Sequence, residues 1–270
     1  MIERLIHKLN IPVLTRVWME GNLKWLVNVA VSVVTLVMLL GLDLAFDLFL
    51  LRILWILNLI LALFLFRCTG LKNGLFVKPL YTLPDGGKNL ALTFDDGPHP
   101  EHTLKMLEIM EKYSVQATFF LTGTQIEKHP DIAIRIVEKG HDIGNHSYFH
   151  RNMSRMGMRQ IKRDFLRFKD VVEKAGIKQP VLFRSPHGLK SPMLEWYSLK
   201  HGLKMIHWNL SPKDWKSTPQ DVILSRLKAH TRPGSIILLH DSPNAVAVLE
   251  NYIQMMVRQG YCFRRISDYL

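Results

Sequence analysis

A chain of 270 residues, 48% hydrophobic and 21% charged with a formal charge of +12, suits one catalytic domain of ordinary size plus a stretch that is unusually apolar. Two cysteines are too few for a disulfide framework. The positive charge comes without an aromatic-interleaved basic motif, which argues against nucleic acid as a partner and leaves plain solubility, anionic lipid head groups or a phosphate-bearing substrate as its readings.

The chain opens with a basic segment, residues 1–24, carrying Arg4, Lys8, Arg16 and Lys24. From Trp25 to Phe66 the only ionisable side chains are Asp43, Asp47 and Arg52. Asp43 and Asp47 divide this run into 25–42 and 48–66, each close to the roughly 20 residues that cross a bilayer. The expectation is a membrane anchor of two transmembrane helices, multi-pass in the cytoplasmic (inner) membrane. Lys and Arg on both outer flanks place both chain ends in the cytoplasm. A hairpin dipping into one leaflet competes, because Arg52 and Asn58 are costly in lipid. A cleaved signal peptide fits worse, since its apolar core is only about 7 to 15 residues.

Residues 67–87 read as a connector, with Gly70, Gly74, Pro79, Pro84, Asp85, Gly86 and Gly87 supplying turn chemistry. A domain of residues 88–270 follows. Short apolar runs at 90–94, 117–121, 142–144, 181–183, 203–207 and 235–239 predict buried parallel strands. Helical spacing of apolar residues fills the gaps at 101–112, 130–139, 158–174, 219–229 and 245–259. Alternation of this kind predicts an α/β fold with a mainly parallel sheet, open or closed as a barrel.

The polar residues of interest fall at or just beyond the carboxyl ends of those strands, where such folds place their sites. In Thr93-Phe94-Asp95-Asp96-Gly97-Pro98, adjacent strand side chains face opposite ways, so the two carboxylates serve different ends. His146 and His150, read as one helical turn apart, can converge on an ion with Asp96; His, His and Asp leave open positions, as a catalytic metal requires. Asp95 is then the base that takes a proton from water, although an Asp before a helix also serves as an N-cap. His240 ends a strongly apolar strand and is the candidate general acid, with Asp214 orienting its ring and Arg184 pairing with Asp95. The plainer readings are an exposed loop residue for Asp214 and a surface ion pair for Arg184. Trp208 and Trp215 either line the site or belong to the core.

These motifs, with Ala117-Thr118-Phe119-Phe120, Gly140-His141-Asp142-Ile143-Gly144-Asn145-His146 and Ile237-Leu238-Leu239-His240, resemble the polysaccharide deacetylases of the NodB-homology, carbohydrate esterase 4 family, from about Leu90 to the C-terminus. The resemblance implies a distorted (β/α) barrel. It implies Asp95 as base, Asp96, His146 and His150 as metal ligands, His240 as acid, Arg184 supporting the base and Asp214 tuning His240. It also implies that the backbone N–H near His187 helps hold the oxyanion. Two departures stand out: His187 replaces a more usual aromatic residue in Arg184-Ser185-Pro186-His187-Gly188, and Ser211 replaces the first acid of Ser211-Pro212-Lys213-Asp214-Trp215. Both lie in loops that line the sugar site, so His187 and Trp215 are the expected substrate-binding residues.

The expected function is a membrane-anchored, metal-dependent hydrolase that removes an N-acyl group, above all acetyl, from an amino sugar in a polysaccharide or glycan. The cofactor is a divalent metal, zinc by preference, with cobalt, iron and manganese left open by spacing. Alternatives are a deacylase or deformylase of a lipid-linked amino sugar, and a catalytically silent sugar-binding module.

Overall fold

The computed structural model describes residues 29–36, 48–69, 74–84, 86–216 and 218–270. The chain divides into two units, Met1–Gly70 and Leu71–Leu270.

The first unit holds helix α1, residues 29–36, and helix α2, Leu48–Thr69. Val31, Val34, Leu54, Trp55, Ile60 and Leu63 are exposed on them. This part of the sequence reading is corrected: among the described residues no helix is long and apolar enough to cross a membrane. Helix α2 presents a run of apolar side chains to its surroundings. Arg52 and Asn58 also interrupt that stretch, and Asn58 turns its Nδ2 back onto the Leu54 carbonyl at 3.1 Å. The two-span anchor, the multi-pass membrane localisation and the assignment of sides fall together. The basic segment 1–24 and the turn with Asp43 and Asp47 lie outside the described residues.

The second unit is built on a parallel sheet. Its strands are β1 (Asn89–Asp95), β2 (Thr118–Leu121), β3 (Asp142–Asn145), β4 (Leu182–Phe183), β5 (Lys204–Met205), β6 (Ile236–His240) and β7 (Cys262–Phe263). Their order is β5-β4-β3-β2-β1-β6, and β7 pairs with the start of β1. Strands β5 and β6 do not pair with each other; irregular chain spans the gap through bridges Leu80 to Ile206, Leu210 to Ile237 and, antiparallel, Thr82 to Ser235. The result is a distorted, incompletely closed α/β barrel: the alternating pattern predicts the parallel sheet, and the family resemblance implies the distorted barrel.

Helices α3 (His102–Lys112), α4 (Gly123–Lys128), α5 (Pro130–Glu138), α6 (Met158–Lys174), α7 (Pro192–Lys200), α8 (Gln220–His230) and α9 (Pro243–Arg258) connect the strands. Helix α6 shows why they form: Ile161, Phe165, Phe168 and Val172 recur at helical spacing and are buried, while Lys162, Lys169 and Glu173 face water. Helix α9 begins at a Ser242 cap, whose Oγ accepts from the Ala245 N–H at 3.2 Å, followed by Pro243 at N1.

Strand alternation sorts the core. Leu90, Leu92 and Phe94 of β1, Phe119 and Leu121 of β2, and Ile237 and Leu239 of β6 pack outward against the helices. Ala91, Phe120 and Ile236 point into the barrel with Leu83, Leu182, Ile206 and Ile266. The inward parity of β1 therefore ends in Thr93 and Asp95, and that of β6 in His240.

Candidate active site

Asp95 and His240 are directly paired in the β1–β6 register, so the parallel sheet alone brings the proposed base and acid to one rim. Asp95 is 3% exposed and faces Arg184, whose Nη1 donates to its Oδ1 at 2.7 Å. Arg184, just past β4, is fully buried, and each side of its guanidinium is used. Nη1 also donates to Thr93 Oγ1 at 2.7 Å, Nη2 to the His207 carbonyl at 3.1 Å and Nε to the Ile206 carbonyl at 3.3 Å. Its plane lies over the Phe120 ring at 4.0 Å and near Trp208 at 5.5 Å. A buried charge is tolerable only with this degree of pairing. Burial pushes the Asp95 carboxyl upward, but the charges of Arg184, then His146 and His240, outweigh it and hold the group below its ordinary value.

One residue later the chain leaves the strand. Asp96 has φ 77°, which swings its carboxylate away from the barrel interior toward the histidines. Its Oδ1 lies 3.5 Å from His146 Nε2 and 3.1 Å from His150 Nε2, and the three ligand atoms sit within 4.8 Å of one another. His146 follows β3, and its Nδ1 is 2.8 Å from the Arg184 carbonyl. A carbonyl only accepts, so Nδ1 carries the proton and Nε2 presents a lone pair toward Asp96. His146 also lies 3.6 Å from Asp95 Oδ2.

The expected helical turn between His146 and His150 is not there: residues 146–150 form an irregular loop, with Ser147 at φ 67° and His150 at φ 55°. Convergence of the rings, at 5.0 Å between centroids, comes from these left-handed residues and from local bonds. Asn145 Oδ1 accepts from the Ser147 N–H at 2.7 Å, and Ser147 Oγ from the His150 N–H at 2.8 Å. Asp164, on α6, accepts from the Tyr148 N–H at 2.8 Å. Asn145, Ser147 and Asp164 were missed from sequence; Asp164 carries a usable signal, a carboxylate between Ile161 and Phe165 on the apolar face of its helix.

On the opposite side, the loop 211–216 brings Asp214 beneath His240. Asp214 is fully buried; its Oδ2 accepts from the His240 backbone N–H at 2.7 Å and its Oδ1 lies 3.1 Å from His240 Nδ1. Burial lowers the His240 pKa, yet the hydrogen bond and charge of Asp214 win, and the ring is held above its ordinary value. Nδ1 donates to Asp214, so the other nitrogen, Nε2, is the one available to a substrate.

Trp215, half exposed at 49%, stands edge-on to His240 at 5.0 Å. His187 is exposed at φ 59°, with its ring edge-on to His150 at 4.8 Å. Trp208 belongs instead with the inner core, over Arg184 and against Gly188. Sequence reasoning also missed Asp241, which is buried, bonded to Thr103 and raised to about 6 chiefly by desolvation. Its Oδ2 fills the space where a Cβ on Gly97 would stand, 2.4 Å away, so Gly97 is required there.

The donor set fits a divalent ion. Asp96 Oδ1 is buried and has no hydrogen-bond partner, while both imidazoles next to it lie within ligand reach. A carboxylate oxygen against a lone-pair nitrogen is repulsive unless a proton or a metal cation sits between them.

Comparison with known proteins agrees with this geometry. The polysaccharide deacetylase family model matches residues 83–206. A peptidoglycan-N-acetylglucosamine deacetylase of Bacillus cereus is 31% identical over 196 residues, covering 70% of this chain and 92% of that protein. A chitooligosaccharide deacetylase of Sinorhizobium fredii is 36% identical over 198 residues, covering 68% and 92%. The crystal structure of the Bc1960 peptidoglycan N-acetylglucosamine deacetylase, bound to a naphthalenyl N-hydroxybenzamide, superposes with a TM-score of 0.68, at 28% identity over 71% of this chain and 92% of that one. The chain belongs to the polysaccharide deacetylase family, hydrolases that cleave amide C–N bonds.

Proposed function

We propose that the protein is a zinc-dependent N-deacetylase acting on N-acetylglucosamine residues of a glycan of the peptidoglycan or chitooligosaccharide kind. The observation that carries the reading is Asp96 Oδ1, buried and without a hydrogen bond between two histidines, next to a separate Asp95–Arg184 pair and a separate His240–Asp214 pair. Asp96, His146 and His150 would hold the ion, which when bound supplies Lewis acidity toward the amide carbonyl and toward water.

The remaining steps belong to side chains. Asp95, kept ionised by Arg184, takes the proton of the attacking water on Oδ2, the oxygen that Arg184 Nη1 leaves free. His240, protonated and oriented by Asp214, delivers a proton from Nε2 to the amide nitrogen, so that an amine rather than an amide anion departs. The products are acetate and the free amino sugar. Trp215 offers a ring face to the sugar beside the acid, and His187 a polar group beside the metal ligands. The lipid-linked alternative rested on the anchor and has no support without it.

The test is acetate release from N-acetylglucosamine oligomers and from peptidoglycan by zinc-loaded and chelator-stripped protein. Activity restored by zinc supports the reading. Zinc binding without turnover on any N-acetylated glycan would instead favour a silent sugar-binding module.

A further inference from the structure

The loop that carries Asp214 and Trp215 also carries Lys213 and Lys216, one immediately before and one immediately after them in the chain. The loop is firmly built. Arg226 Nη1 donates to the Pro212 carbonyl at 2.9 Å, and Asn244 Nδ2 donates to the carbonyls of Asp214 and Lys216 at 2.8 and 3.1 Å. Lys213 sits at φ 65°, its carbonyl accepting from the Lys216 N–H at 3.3 Å and from Thr218 Oγ1 at 3.3 Å.

The carboxylate within this loop cannot neutralise the lysines, because both oxygens of Asp214 are committed to His240. Among the described residues, neither Lys213 nor Lys216 has an ion pair with a carboxylate, in contrast to Lys105, Lys112, Lys139 and Lys169. Lys213 is half-buried; burial first, then the neighbouring Lys216 and Arg226, lowers its pKa. Three like charges thus gather at the edge of a site whose aromatic wall, Trp215, stands open to solvent. Such crowding is costly in the free protein and is relieved by an anion.

We infer that the preferred substrate is an anionic glycan, in which a carboxylate or phosphate on a sugar close to the scissile N-acetyl group docks on Lys213 and Lys216. The inference rests on the deacetylase reading and adds the substrate's charge. Anionic substituents from either source share the chemistry, and the test separates them.

The zinc-loaded full chain is given a neutral N-acetylglucosamine tetramer, its 6-carboxymethylated form and its 6-phosphorylated form. Both kcat/KM and calorimetric Kd are measured. At low salt the anionic forms are expected to be preferred at least about fivefold, and the preference should fall toward one at high salt, where screening lengths shrink to a few Å. The Lys213→Gln/Lys216→Gln double variant should bring the ratio to within about twofold of one, as expected for the loss of both charge partners. Lys169→Gln, on α6, should leave it unchanged. A larger ratio for phosphate than for carboxylate, or the reverse, names the source. Equal treatment of all three glycans by the wild type, or a preference that survives the double variant, overturns the inference. Binding ratios are read without turnover, so a failed acetate assay counts against the deacetylase proposal and not against this one.

Discussion

Asp95 is the last residue of β1 and points into the barrel; Asp96, at φ 77°, has already turned out of it. That single backbone rotation separates the proposed base from the proposed ligand. Asp95→Asn is therefore expected to keep zinc and lose most turnover, by roughly 10²-fold or more, since only the proton acceptor goes. His146→Ala and His150→Ala should lose zinc and activity together, because two protein ligands no longer hold the ion. Zinc content by atomic absorption beside acetate release checks both; equal metal loss in all three would collapse the division between the aspartates. His240 gives a pH prediction. Its pKa is held above the ordinary value by Asp214, so kcat/KM is expected to fall as pH rises through that raised value. In Asp214→Asn the charge is gone and burial dominates, which moves the alkaline limb to lower pH. A limb that stays in place would leave Asp214 a merely structural partner.

The strands carry these residues because their apolar runs are short and, in β1, β2, β4 and β6, buried on both faces, while Asp142 opens β3 and Lys204 of β5 is exposed; all six were legible in sequence. Strand β7 has only Cys262 and Phe263, too short for any periodic signal, and its pairing to Asn89 and Leu90 is a tertiary matter. Helices α4 and α7 were also missed: Gly123–Lys128 spans under two turns, and Pro192–Lys200 buries Glu195 and Ser198 as well as Leu194 and Tyr197, which blurs its apolar stripe. That His146 and His150 come together with Asp96 was legible from residue type, but the loop that achieves it was not, since left-handed Ser147 and His150 leave no mark in composition. One glycine couples an element to the site. A Cβ on Gly144 in β3 would stand 2.4 Å from Cδ1 of Phe120, and the guanidinium of Arg184 rests on that ring. Gly144→Ala is expected to cost about 1–3 kcal/mol by overpacking. It should also lower kcat more than it raises KM, through a displaced Arg184. Thermal unfolding with parallel kinetics checks this; a stable variant with full kcat would break the proposed link from strand to base.

At the scale of the whole chain, the question is what the catalytic unit needs in order to stand alone. Its core clusters draw their buried members from Leu83 to Ile266, with Val77 and Leu80 packed against them. Yet residues 74–82 do more than connect. Glu195 is buried at 1% exposure, and its Oε2 accepts from the Phe76 N–H at 2.8 Å. Leu80 closes the barrel at β5: its N–H donates to the Met205 carbonyl at 2.9 Å, and its carbonyl accepts from the His207 N–H at 2.7 Å. His207 in turn holds Arg184 Nη2, so this closure reaches the base through one residue. A chain of residues 71–270 is accordingly expected to fold, bind zinc and deacetylate at near full rate. A chain of residues 83–270 keeps every proposed catalytic residue and the Lys190–Glu195 pair, but leaves Glu195 Oε2 without its Phe76 and Val77 N–H donors and removes the Leu80 bonds. At about 1 kcal/mol per lost bond and 1–3 for a buried group left unpaired, the cost is several kcal/mol of a typical 5–15. Thermal melts of the two truncations with zinc titrations measure it. Equal midpoints would show the bridges to be dispensable, and failure of 71–270 to fold would show that the catalytic unit depends on residues before it.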